Sequence, residues 1–598
     1  MTRTVKQKTY LKILIAIVAL GFVLRAWRLT SLPLPPNGDE LAFGYYGWSL
    51  LHYGMDEYGN KFPVYFSSIG DYKFPVLAYL NIIPATVFGL SEITVRFWPV
   101  VSGTLLIVLT YFLSGFVFAN PLINLLSALF VAVSPWSITL SRTAHEVEVG
   151  MVFTYIALLA ILYAARLLGK KGTNNQSSYM KVNTIFVVSF LLLLTSIFTY
   201  GSQRIFIPSV LLGLTAVAYF YKNELSNVKS RLAILFVIIT ALVGLSLIPW
   251  QARGRASGVV WRGVSQDQIT NDAIYDGTGV IKTPIILTRI YHNKISENIL
   301  DFSQNYLKNF NFNYLFFTGD TSPESTPQTG IVLHIELLLF VVGLLGVWKR
   351  QRGSNKAIPF VILITGAGAS AITLGGPHML RGSNMFPAIA LFSAYGFFYI
   401  ANSLVKNLWR KIVLILLGLL IFVNASFTTH QIFIHKPVQR PWYSDQTKAQ
   451  LVSDTWSMRN NYKAVVMKEY PYIFFLFYNK ISPSQFLANS DIMPESRDNQ
   501  WERVNSIDNI YFGMPFDCPK GGKINVLYVC KGSEVPQNAQ ILKTYYFLDG
   551  IPAYSLIEFY PFSEKNQAAE LPSMFNYMVE RETKYPDGVI PNDIPGWW

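Results

Sequence analysis

The stretch TVRFWPVVSGTLLIVLTYFLSGFVF, Thr94–Phe118, decides the fold class. It is 25 residues long, and Arg96 is its single charge. As a helix rising about 1.5 Å per residue it outspans the roughly 30 Å hydrocarbon core of a bilayer. Reading outward finds further apolar runs at Leu11–Trp27, Ile123–Leu140, Val147–Ala165, Thr184–Tyr200, Ile205–Tyr221, Leu232–Trp250, Ile331–Trp348, Ala357–Leu374, Met385–Ile400 and Ile412–Thr428. The chain is therefore expected to be mainly α, a polytopic membrane protein with about 11 transmembrane helices. Composition agrees. Of 598 residues, 51% are hydrophobic and only 14% charged, against about 25% charged in ordinary soluble proteins, and the mean hydropathy is +0.32. A cytosolic enzyme, a disordered chain and a disulfide scaffold are excluded, the last because there are 2 cysteines.

The net charge of +14 would suggest nucleic acid in a soluble chain. Here its distribution instead reports sidedness, and no nucleic-acid partner is expected. Arg3, Lys6 and Lys8 precede the first run, and no small-residue cleavage site follows it, so it reads as an uncleaved anchor. With the N-terminus cytoplasmic, alternation places Lys170, Lys171, Lys222, Lys229, Lys349, Arg350, Lys406 and Arg410 inside. The short outer turns hold Arg142, Arg204 and Arg381. The expected location is the plasma (inner) membrane. Residues 1–428 form the membrane module, with outer loops at 28–93 and 251–330. Residues 429–598 read as an extracytoplasmic soluble α/β domain. In it Ala464–Met467 and Ile524–Val529 look like strands, and Leu542–Phe547 with Ala553–Phe559 like a hairpin. Cys518 and Cys530 both fall there, where an oxidising exterior would allow pairing as readily as two unrelated thiols.

Span interiors are almost free of ionisable residues, which argues against an ion-coupled transporter and for a site at the outer face. The first loop carries Asn37-Gly38-Asp39-Glu40 soon after a membrane exit. Adjacent carboxylates must point apart, so one can serve as general base on a substrate hydroxyl while the other holds a basic partner. A helix N-terminus with first-turn acids explains the pair equally well. Farther on, Asp56–Pro63 and Gly70–Pro75 are turn-rich with paired opposite charges, and Pro75–Leu90 reads as an interfacial helix. Arginines at the outer boundary suit a lipid phosphate through two parallel charge-assisted bonds, or simply snorkel. Arg142 and Arg381 each have a histidine three residues away, His145 and His378. Metal-binding, Walker and dinucleotide motifs are lacking. A divalent cation at Asp39 or Glu40 is compatible with the sequence, which demands no cofactor.

Taken in order, Gly38-Asp39-Glu40, Asp56-Glu57-Tyr58-Gly59, Gly70-Asp71-Tyr72-Lys73-Phe74-Pro75, Arg96, Ser141-Arg142…Glu146, Tyr200–Arg204, Phe316–Asp320 and Pro377–Arg381 resemble bacterial GT-C membrane glycosyltransferases. The nearest groups are the protein O-mannosyltransferase-like enzymes and the aminoarabinose transferases of lipid A. The resemblance covers about Met1–Thr428 and leaves the tail unmatched. It implies a glycosyltransferase that moves a monosaccharide from a polyprenyl-phosphate donor to a hydroxyl of a protein, lipid or glycan, inverting, at the outer face. Asp39 would be the base and Glu40 its positioning partner. Glu146, with Glu148 as rival, and Asp71 would be the second acids. Arg142, His145, Arg204, His378 and Arg381 would bind the lipid phosphate. Tyr45, Lys73 and Asp320 would contact the acceptor or line the loops. A transporter or flippase for a lipid-linked saccharide is the alternative of a different class, and an inactive assembly scaffold a third.

Overall fold

The computed structural model describes residues 2–559 apart from 33–35, 69–70, 170–175, 221–262, 280, 323, 327, 352, 404–406, 440–446, 494–502 and 533–534. Two compact units result: Met1–Asp56 with Asn60–Tyr443, and Glu57–Gly59 with Ser444–Trp598.

The first unit is a helical bundle. Six of its described helices are long and apolar enough to cross a membrane: Gln7–Ala26, Glu92–Phe118, Val147–Leu167, Met180–Ile197, Met379–Ser403 and Leu408–Val438. A seventh span results if Pro121–Val133 and Pro135–Ser141, bent by 55°, count as one. The expected number of about eleven is not reached among the described residues. The run Leu232–Trp250 lies outside them. Others break where an apolar run hides a backbone constraint. Ile331–Trp348 becomes helical only at Glu336. Ala357–Leu374 stops at Gly366, where a Cβ would strike the backbone of Asn384 and Met385. The last span runs on past the expected boundary at 428.

Packing inside the bundle relies on small residues, since lipid supplies no hydrophobic drive between helices. Glu336–Arg350 lies against Phe386–Ser403 through Gly343 and Gly396. A Cβ on Gly343 would collide with the Phe392 carbonyl, and one on Gly396 with that of Leu339. A polar knot also joins two spans. Arg25 donates from Nη2 to Ser137 Oγ (2.6 Å) and from Nε to Ser141 Oγ (3.1 Å). Ser141 in turn donates to Glu148 Oε2 (2.7 Å). Both charged groups are fully buried, and an intramembrane charge persists only when paired in this way. Glu148, the rival second acid, is committed to this knot.

The second unit is α/β. Its sheet runs in the order β4-β5-β6-β3-β7-β9-β8, numbering from β1 (Phe66–Ser68) and β2 (Asp71–Lys73), a small antiparallel hairpin of the first unit. The strands are β3 (Ala464–Met467), β4 (Ser490–Met493), β5 (Arg503–Ile507), β6 (Ile510–Phe512), β7 (Val526–Lys531), β8 (Ala539–Tyr546) and β9 (Pro552–Phe559). β3 is parallel to β6 and β7, and the other pairs are antiparallel. All four residues of β3 are buried, as a central strand covered on both faces requires. Cys518 and Cys530 form a disulfide that ties the preceding loop to β7.

Candidate active site

The site grows from one helix start. Asn37 caps the helix Gly38–Tyr53 in a capping box: its side chain accepts from Glu40 N (2.9 Å), and Glu40 Oε1 accepts from Asn37 N (3.2 Å). The other oxygen of Glu40 accepts from Arg96 Nε (3.1 Å) and Ala144 N (2.9 Å). Arg96 opens the long span Glu92–Phe118 and also donates to Leu29 O (2.8 Å). Glu40 thus binds the motif helix to a span and to the turn before Glu146, and is buried in doing so. Glu40 is the first-turn acid that the helix-start reading expects.

Asp39 points the other way. Its side chain is 52% exposed, and Lys73 Nζ, nine-tenths buried, donates to Oδ1 at 2.7 Å. Lys73 is delivered by β2, which the hairpin register pairs with Phe66. The helix bearing Asp39 is seated by Asn81, whose Nδ2 donates to Phe43 O (3.1 Å) and whose backbone a Cβ on Gly47 would strike.

The turn 144–146 supplies the next groups. His145 Nε2 lies 2.8 Å from Glu324 Oε1. Burial pushes the His145 imidazole down, but the Glu324 carboxylate outweighs it and raises it to about 9. Burial likewise favours neutral Glu324, yet the bond to His145 holds it near about 2. Burial pushes the Glu146 carboxyl up; the charges of Lys73 and His145 pull it back and that of Asp39 raises it, leaving it at about 7. Tyr200 is raised by burial and by Glu146. Lys436 Nζ donates to Glu324 O (2.6 Å) from a buried position.

Asp320 and the 377–381 turn close another side. Asp320 Oδ2 accepts from Met379 N (2.5 Å), and Oδ1 from Ser322 Oγ (2.7 Å). His378 Nδ1 lies 3.9 Å from Asp320 Oδ2 and accepts from Leu380 N (3.3 Å). Burial and the Arg381 charge both lower His378. Arg381 Nη1 donates to Leu374 O (2.7 Å). Arg204 stacks over the Phe74 ring at 4.4 Å and lies beside the Tyr65 hydroxyl, with Nε and Nη2 shielded from solvent.

The structure therefore brings Asp39, Lys73, His145, Glu146, Glu324, Asp320, His378 and Arg381 into one electrostatic neighbourhood. Two further expected residues are buried. Arg142 is buried: Nη1 and Nη2 donate to the carbonyls of Leu24, Arg25, Trp27, Arg28 and Leu32, while Nε is shielded with no hydrogen-bond partner among the described residues. A run of carbonyls at the end of the first span claims it, a demand no sequence motif displays. Tyr45 is buried in the motif helix with its ring near Trp48. The Asp71 side chain lies outside the described residues. Sequence reasoning missed Glu324 and Lys436; an acidic residue in a Ser/Pro/Thr-rich outer turn was the only signal for the first. As for a metal, the Lys73 ammonium already supplies positive charge beside Asp39, and among the described residues these carboxylates do not converge as a ligand set.

No protein-family profile matches the chain, and no curated protein matches it by sequence. Solved structures do match. The apo oligosaccharyltransferase of Archaeoglobus fulgidus is similar over 78% of this chain and 63% of its own, with TM-score 0.50 and 14% identity. This chain thus spans less than two thirds of that protein's length. ArnT from Cupriavidus metallidurans bound to undecaprenyl phosphate is similar over 92% of this chain and 98% of its own, with TM-score 0.46 and 11% identity. The likeness to the oligosaccharyltransferase shows the fold alone: over the matched residues the chain is folded as that protein is.

Proposed function

We propose that the chain is a membrane glycosyltransferase that moves a monosaccharide from a polyprenyl-phosphate donor to an acceptor hydroxyl at the outer membrane face, with inversion. The observation that carries this reading is Asp39: half-exposed, held by a buried lysine, and backed by a neighbour whose own carboxylate is wholly engaged in structure. Asp39 takes the proton of the acceptor hydroxyl as its oxygen bonds to the anomeric carbon. The bond from that carbon to the phosphate oxygen breaks, and its electron pair leaves with the lipid phosphate. Arg204, whose guanidinium lies beside the Tyr65 hydroxyl, and Arg381 supply fixed positive charge for that leaving group. Glu146, pushed up to about 7, can receive the proton onward near neutral pH. His145 and Glu324 hold the turn that presents it. A protein, a lipid or a glycan could each offer the hydroxyl. The N-terminus is cytoplasmic and the second unit extracytoplasmic in this reading, in keeping with the basic inner loops and the disulfide.

The test is release of polyprenyl phosphate by purified protein with a panel of polyprenyl-phosphate sugars and envelope extract as acceptor source. Asp39→Asn is expected to lower turnover about 100-fold or more while folding normally, given the 10²–10⁴-fold typical of a positioned base. Equal turnover by the two proteins refutes the assignment of the base. Tight donor binding by wild type without any turnover favours the flippase reading.

A further inference from the structure

Three helices of the large outer loop, Gln266–Thr278, Ile285–Tyr291 and Lys294–Lys308, are packed together with almost no apolar core. Their buried residues are Ile269 and Glu297 alone among those described. Their large apolar side chains face outward instead, Ile286 at 70% and Ile295 at 73% exposure. Three short helices without a core need another tie.

The tie is a polar cluster to which each helix contributes. Asp272 comes from the first helix, His292 directly follows the second, and Glu297 lies in the first turn of the third. One ligand atom from each lies within 4.8 Å of the others. His292 Nδ1 is 2.7 Å from Glu297 Oε1, and Nε2 is 3.5 Å from Asp276 Oδ2. That Asp276 oxygen is shielded from solvent and makes no hydrogen bond. Asn293, next to His292, caps the third helix through Ile295 N and Ser296 N, which fixes where Glu297 points.

We propose that Asp272, His292 and Glu297 form a structural site for one divalent transition-metal ion, Zn²⁺ being the best match, with water as the fourth ligand and Asp276 beside the Nε2 of His292. One imidazole nitrogen with two carboxylates is a borderline donor set that suits Zn²⁺ and disfavours Ca²⁺ and Mg²⁺, which prefer all-oxygen shells. Bonds of about 2.0–2.2 Å in a tetrahedron need ligand atoms roughly 3.3 Å apart, so side-chain rotation of about 1 Å closes the site. The spacing follows no sequence motif, because the three ligands converge only when the helices pack.

The experiment uses full-length protein without a polyhistidine tag, in detergent and stripped of metal. Zn²⁺ affinity and stoichiometry are read by competition with a chromophoric chelator. Wild type is expected to bind one tight Zn²⁺, and Glu297→Gln and His292→Ala to weaken it about 100-fold or more, beyond the loss seen on removing an outer hydrogen-bond partner. The doubly substituted Asp39→Asn/Glu146→Gln protein, altered only at the candidate active site, should retain it. Trypsin cleavage after Arg289 and Lys294 should slow about tenfold with Zn²⁺ in wild type and not in Asp272→Asn, which keeps the measurement informative if His292→Ala fails to fold. Absence of a tight ion, or a tight ion untouched by all three substitutions, overturns the proposal.

Discussion

Replacing Glu324 by Gln removes the carboxylate that holds His145, and the size of the effect follows from the His145 titration. Both side chains are largely buried, 14% and 9% exposed, so solvent screening is small. His145 rises from 6.5 to about 9 in the folded protein. Such a raised group stabilises fully below its unfolded value and loses that stability as pH rises through its folded value. A shift of about 2.5 units at 1.36 kcal/mol each corresponds to about 3 kcal/mol. By linkage this is nearly complete at pH 6.5, falls to about 1 kcal/mol at pH 8 and is close to zero at pH 9.5. The depressed Glu324 value, about 2 against 4.5, describes the same pair and is not added; its share is lost as pH falls through about 2. The assay is a double-mutant cycle of Glu324→Gln and His145→Gln by denaturant unfolding in detergent. Because Glu40 and Glu146 share in raising His145, the pairwise coupling is expected below that total, clearly larger at pH 6.5 than at pH 9.5, where the neutral imidazole keeps only its hydrogen bond to Glu324. A coupling that is zero at pH 6.5, or the same at both pH values, refutes the reasoning.

Arg142→Lys should cut folded yield sharply, because one ammonium cannot serve five carbonyls at once; each orphaned buried acceptor costs about 1–3 kcal/mol. In the surviving protein the donor KM should stay within about twofold, whereas Arg381→Gln, which leaves the fold intact, should raise it about tenfold or more, as loss of a charge-assisted bond worth about 1.5–3 kcal/mol implies. A raised donor KM in fully stable Arg142→Lys would return that arginine to the phosphate site. Gly396→Ala should destabilise by about 1–3 kcal/mol, since its Cβ meets a backbone carbonyl that cannot yield. Gly418→Ala, which meets nothing within 4 Å, is the control in thermal unfolding, and equal stability of the two variants contradicts the packing argument.

What the sequence determined by itself was set by local rules. Apolar length marked the membrane class, and strand periodicity marked β3 and the β8–β9 hairpin to within a few residues, because burial acts on each short stretch directly. The acidic pair's place at a helix start was legible because capping is set by a few neighbouring residues. What only the tertiary structure decided was which polar groups were already taken. Arg142 and Glu148 read from sequence as site residues; in the fold, carbonyls at and beyond the end of the first span and the Arg25 knot hydrogen-bond them. Glu324 reads as an ordinary loop acid, yet it meets His145 across 179 positions of chain. Helix breaks at Gly366 and before Glu336 were equally invisible, since apolar composition records burial but not close backbone contact. A charge's role depends on which partners reach it once the bundle closes, and those partners come from helices far apart in sequence.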